Sequence, residues 1–108
     1  MPFPPQTAHS FTLAGIEKLK PGQVGCYGIF RPGTWIYVGY GDVRACLLAH
    51  LHGHKLCILK HHPTRFVVAG AIDPAAHARA LIAELRPVCN VGRRSHGWTG
   101  MEKWEADL

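Results

Sequence analysis

Tyr27 and Tyr37 stand ten residues apart, each inside a short apolar phrase, Gly25-Cys26-Tyr27 and Tyr37-Val38-Gly39, with Arg31-Pro32-Gly33 between them. Tyr27-Gly28-Ile29-Phe30 and Trp35-Ile36-Tyr37-Val38 are rich in aromatic and β-branched types, and Pro-Gly breaks the chain between them. A hairpin that sets the two phenols side by side is therefore predicted. A lone strand tyrosine is ordinarily an amphipathic core residue with its hydroxyl hydrogen-bonded; a pair is a candidate for chemistry. A second candidate is Cys46-x-x-x-His50 with Cys57-x-x-x-His61, since cysteine and histidine one helical turn apart point the same way and two such pairs supply four tetrahedral zinc ligands. Cys46 borders an apolar stripe, however, so a buried inert thiol is the favoured account and no metal is assigned. A third candidate is a field of charge. Between Val43 and Ile72 there is no carboxylate, while Arg44, Lys55, Lys60, Arg65 and five histidines fall there, and the chain carries a net +5. Such a field attracts phosphate, which points to a nucleic-acid backbone as partner, and it strengthens as histidines protonate. His52, His54, His61 and His62 read as exposed residues that tune that affinity rather than as ligands. The tail adds Arg93, Arg94 and Trp98, a mixture of cation and ring found in single-strand binding segments; the competing reading is a Gly-rich extension whose Trp98 and Trp104 pack back on the domain.

These residues must be positioned by a small set of elements. Residues 1–10 hold three prolines and no periodicity, an extended lead-in. Leu13, Ile16 and Leu19 recur at helical spacing up to Pro21-Gly22. Strands over Val24–Phe30 and Thr34–Tyr40 follow. Asp42 caps a helix over Val43–His52 with Val43, Leu47 and Leu51 on one face and Gly53 as its stop. A shorter helix over Lys55–His62 ends at Pro63, and Thr64–Ala69 is a third strand. Asp73-Pro74 starts a helix over Ala75–Arg86 that Pro87 terminates. The expected fold is α+β, a small three-stranded antiparallel sheet flanked by helices in the order β-β-α-(α)-β-α, with a lead-in over 1–20, the domain over 21–90 and an extension over 91–108. At 108 residues, 47% hydrophobic and 18% charged, one core is expected. The amino terminus lacks the basic start and apolar segment of a secretory leader, so the four cysteines are expected as reduced thiols in a cytoplasmic protein. No apolar run approaches the roughly 20 residues of a membrane-spanning helix.

The paired phrases, with Leu81-Ile82, Pro87 and Asn90 following at the expected order and spacing, resemble the signature of the GIY-YIG nuclease superfamily across residues 21–90, about two-thirds of the chain. The resemblance implies a phosphodiester-hydrolysing fold in which a glutamate holds one divalent metal, Mg or Mn, and an arginine and the paired tyrosines surround the water and phosphate. By that likeness Tyr27, Tyr37, His50 and Asn90 are the matching site residues, and beside it phosphate contact becomes the favoured reading of the charge field and tail, through Arg44, Lys55, Lys60, Arg65, Arg93 and Arg94. The metal and arginine offset charge growing on the phosphoryl oxygens, and a tyrosine or histidine relays the proton of the attacking water. The glutamate stands twelve residues before the asparagine and three before Leu-Ile; both counts lead to Ala78. Glu84 lies about 120° around the helix and about 9 Å along it from there, and reads as a solvated charge. The arginine position falls on Leu47 or Cys46, and Arg44 projects from a nearly opposite side. No cofactor is therefore expected unless the protein is active. Three functional classes are consistent with these residues, in this order: a nucleic-acid-binding domain on an impaired nuclease fold, an active divalent-metal-dependent endonuclease using relocated groups, and a protein-interaction or structural subunit.

Overall fold

The computed structural model describes Phe3 and residues 6–91. They form an α+β fold of nine elements: β1 (His9–Ser10), α1 (Leu13–Glu17), β2 (Val24–Arg31), β3 (Thr34–Asp42), α2 (Val43–Leu51), α3 (Leu56–Lys60), β4 (Arg65–Ala69), α4 (Pro74–Leu85) and α5 (Val88–Val91). The sheet is antiparallel throughout, in the order β1-β4-β2-β3. No helix among the described residues is long and apolar enough to cross a membrane.

The hairpin forms as its composition requires. Pro32-Gly33 makes the turn between the paired Arg31 and Thr34, with Gly33 at φ +85°, a conformation glycine adopts without steric cost. The pairing slips by one residue after Ile29, which faces Tyr37 while Phe30 faces Trp35, so Ile36 is a bulge. A bulge breaks the strict alternation of faces, and Ile36 and Tyr37 both join the core cluster that holds Tyr27. Gly25 is required by clearance: a Cβ there would lie 2.5 Å from the carbonyl oxygen of Ala69 on β4.

Helix starts follow the capping rules. The Asp42 carboxylate accepts from Ala45 N at 3.2 Å, Asp73 does the same for Ala76 N at 3.2 Å with Pro74 in the first turn, and Thr12 accepts from Gly15 N. Two cores result, one on each sheet face. The first packs Ile16, Tyr27, Ile29, Ile36, Tyr37, Leu47, Ile58 and Phe66 beneath α1, α2 and α3. The second packs Cys26, Val38 and Val67 against Ala78, Leu81 and Ile82 of α4.

The expected three strands are four, because the lead-in contributes β1, whose His9 and Ser10 pair with Phe66 and Arg65. Two residues are too few to show a period of two. The same segment packs further: Phe3 is 4% exposed and stacks on Trp35 at 5.6 Å. The Gln6 amide continues the pairing by side chain, donating to Val68 O at 2.7 Å and accepting from Val68 N at 3.1 Å. At the other edge of the sheet Asn90 does this for β3, donating to Val38 O at 3.0 Å and accepting from Val38 N at 2.9 Å. A side-chain amide carries one donor edge and one acceptor edge, like a peptide group, so β4 at Val68, beyond the end of β1, and the outer strand β3 at Val38 are each paired by a side chain in place of a further strand.

One expectation about the cysteines is corrected. Cys57 and Cys89 form a disulfide with Cα atoms 5.9 Å apart, because α5 folds back onto α3; only Cys26 and Cys46 are free thiols. Their 32-residue separation hides that proximity from a count of cysteines.

Candidate functional site

Tyr27, Tyr37 and His50 meet beneath α2. The Tyr27 hydroxyl is 2.8 Å from His50 Nε2, the two phenol rings are 6.3 Å apart between centroids, and His50 stands edge-on to Tyr37 at 5.2 Å. His50 Nδ1 lies 3.2 Å from the carbonyl oxygen of His54. A carbonyl can only accept, so Nδ1 carries the proton; in the neutral ring Nε2 then accepts and Tyr27 donates. The turn after α2 closes over this cluster. Gly53 takes φ +100°, His54 N donates to Ala49 O at 3.0 Å, and Lys55, held at φ +66°, places Nζ 5.6 Å from the centre of the Tyr37 ring. A left-handed lysine is an uncommon conformation retained where surrounding contacts fix it.

The cluster is sealed: Tyr27 and His50 are 0% exposed and Tyr37 is 2% exposed. Burial, with Tyr37 and Cys46 as neighbours, pushes the Tyr27 hydroxyl well above the usual phenol range, so it stays protonated. Burial also raises the Cys46 thiol, partly offset by its interaction with Tyr27. In this arrangement the Tyr27 hydroxyl and the His50 imidazole act as a satisfied polar pair that ties the hairpin to α2.

The positions at which the resemblance places charged groups are apolar. Cys46 is 8% exposed and Leu47 0%, both packed in the first core. Ala78 is 1% exposed in the second core on the other sheet face. At the β3 edge Tyr37, Tyr40, Ala78, Arg79 and Asn90 line a small crevice between α4 and α5. No carboxylate is among its lining residues, whose ionisable members are Tyr37, Tyr40 and Arg79. A Mg or Mn ion needs anionic oxygen ligands. Among the described carboxylates Asp42 and Asp73 cap helices, and Glu17 and Glu84 are exposed on helices. The residues present therefore do not fit the divalent metal the resemblance implies. Arg79 escaped the sequence reading; its signal is that it adjoins Ala78, the position at which the resemblance places a carboxylate.

The other expected site residues scatter. Asn90 is 2% exposed and spends its amide on the Val38 backbone. Arg44 on α2 is partly buried with Nε unpaired among the described residues, Lys60 and Arg65 are exposed at the ends of α3 and β4, and Lys55 covers Tyr37. Arg93 and Arg94, with the rest of the tail, lie outside the described residues. The four-ligand zinc set is not assembled: His50 and Cys46 belong to the tyrosine cluster, whereas Cys57 and His61 gather with Cys89. His61 is partly buried beside the disulfide rather than exposed.

Comparison with models of known protein families, with curated proteins and with solved structures gives no match.

Proposed function

We propose that the chain is a nucleic-acid-binding domain on a GIY-YIG-like fold whose nuclease centre is impaired. One observation carries the reading: the side chains at the positions of the metal carboxylate and the arginine are Ala78, Cys46 and Leu47, all buried, with Arg79 in the crevice where an acid would be needed. Loss of a single transition-state donor costs on the order of 10² to 10³ in rate, and loss of a Lewis acid removes a further term. The phenols cannot compensate, since they are enclosed and Tyr27 holds its proton. Phosphate attraction survives this loss, because it needs only cations. Arg44, Lys60 and Arg65 occupy the carboxylate-free segment from Val43 to Ile72, and Arg79 borders the crevice.

Fluorescence anisotropy with duplex, branched and single-stranded probes at graded salt tests binding. The logarithm of affinity should fall linearly with that of salt, by about 0.9 per duplex phosphate neutralised. A Lys60→Glu/Arg65→Glu variant should bind more weakly and with a shallower slope. Absence of binding to all probes at low salt would instead favour a protein-interaction subunit. Robust cleavage of supercoiled or branched DNA with Mg or Mn would overturn the impaired reading.

A further inference from the structure

Outside the tyrosine cluster, one group of side chains among the described residues has the chemistry of a site. Cys57, His61 and Cys89 place their ligand atoms within 4.8 Å of one another. Cys57 and His61 are one turn apart at the end of α3, and Cys89 reaches them from α5. His61 Nδ1 is 3.9 Å from Cys57 Sγ and 3.7 Å from Cys89 Sγ. With Zn–S of about 2.3 Å and Zn–N of about 2.05 Å, a tetrahedral site has N···S edges of about 3.6 Å and an S···S edge of about 3.8 Å. Two of the three edges are therefore already near their coordinated lengths, and the sulfur–sulfur edge is the one that must lengthen. Two thiolates and an imidazole, with no carboxylate, select a borderline-soft cation over Mg or Ca.

We propose that Cys57, His61 and Cys89 form a redox-gated site for Zn²⁺, closed as the disulfide and opened by a dithiol reductant. In the opening step the Cys57–Cys89 bond breaks, two electrons and two protons pass from the dithiol, and the dithiol becomes a disulfide. Zinc then displaces both thiol protons. His61 Nδ1 lies 3.0 Å from the Cys57 carbonyl oxygen and donates to it in the closed state. On coordination through Nδ1 its proton moves to Nε2 and the carbonyl is released. Three protein ligands leave a fourth position for water. Cys26 and Cys46 do not compete as a pair, since each thiol donates separately to a carbonyl, of Pro74 at 3.2 Å and of Tyr40 at 3.9 Å. Either state ties α3 to α5, and α5 carries the Asn90 that closes β3. This inference does not depend on nucleic-acid binding.

The test uses the untagged full chain, reduced with a dithiol that is then removed without air. Titration with Co²⁺ should give sulfur-to-metal charge-transfer and tetrahedral d–d bands at one ion per chain, and Zn²⁺ should displace it. The oxidised chain should give neither. Zn²⁺ should protect Cys57 and Cys89, but not Cys26 or Cys46, from alkylation mapped by mass spectrometry under mild denaturant. His61→Ala keeps every thiol and should weaken binding by at least about tenfold. Absence of the cobalt bands in the reduced chain, equal binding by the oxidised chain, protection of other cysteines, or undiminished binding by His61→Ala would each overturn the proposal. If His61→Ala does not fold, the protection map on the unaltered chain decides alone.

Discussion

Tyr27→Phe separates a structural hydroxyl from a chemical one. The substitution keeps the ring and removes one oxygen that sits at 0% exposure, 2.8 Å from His50 Nε2. A satisfied hydrogen bond contributes about 0.5–1.5 kcal/mol net, but removing one partner leaves a buried acceptor unpaired and costs instead that group's desolvation penalty of about 1–3 kcal/mol. A destabilisation of about 1–3 kcal/mol at neutral pH follows. Urea unfolding followed by far-ultraviolet circular dichroism reads it as a lower midpoint at unchanged slope.

The same variant has a signature at high pH. In the unfolded chain Tyr27 titrates near its ordinary value of 10.0, whereas in the fold burial holds its pKa well above that. Above about pH 10 the unfolded state therefore binds fewer protons than the folded one. The hydroxyl's contribution is fully present below the unfolded pKa and is lost as pH climbs toward the folded one, by up to about 1.4 kcal/mol per unit. Tyr27→Phe should remove that component, so the stability curves of variant and parent converge above pH 10. Cys26, raised from 9.0 to about 11 by burial, loses its contribution between those two values in both proteins. An unchanged urea midpoint at neutral pH together with parallel curves above pH 10 would refute a sealed, hydrogen-bonded hydroxyl. Full stability with abolished nucleic-acid binding would refute the structural role from the other side.

Asn90→Ala should cost about 2–4 kcal/mol, because it orphans both Val38 N and Val38 O at the sheet edge, and hydrogen exchange at Val38 should accelerate more than at the centre of β2. Gly25→Ala should cost about 1–3 kcal/mol in urea unfolding, since its Cβ would stand 2.5 Å from a backbone oxygen that cannot move without parting β2 from β4. Reducing the disulfide in the absence of metal should cost about 4 kcal/mol, the chain-entropy value for a loop closed over a 32-residue separation. That corresponds to a fall in the urea midpoint of about 1 to 4 M, and an unchanged midpoint after verified reduction would contradict it.

Local chemistry made much of this fold legible. Asp42 and Asp73 announced α2 and α4, the Leu47 stripe announced the buried face of α2, and Pro32-Gly33 announced the hairpin that brings Tyr27 and Tyr37 together. The features that escaped are those decided by distant partners. β1 is two residues long and exists because β4 offers an edge to His9 and Ser10. The amides of Gln6 and Asn90 act across 62 and 52 residues, and the disulfide across 32. Sealing of the tyrosine pair depends on a backbone reversal at Gly53–Lys55 that puts a lysine in a left-handed conformation, which the residue type argues against. The bulge at Ile36 likewise broke the alternation that would have placed Tyr37 on the other face.

These long-range partners bear on why the resemblance is partial. Gly25 is needed for clearance against Ala69, Tyr27 pairs with the buried His50, and Asn90 closes the β3 edge. Each of the three has a role in holding the fold, whatever chemistry takes place on it. A metal-binding carboxylate and a phosphate-binding arginine have no such role: at Ala78 and Leu47 they would put charge where the chain now buries 1% and 0% exposed apolar groups. Apolar residues at those positions improve packing while removing the electrostatic terms on which hydrolysis depends. A chain that must fold and hold a polyanion, but need not cleave it, can therefore carry the glycine, tyrosine and asparagine signature without the charged pair.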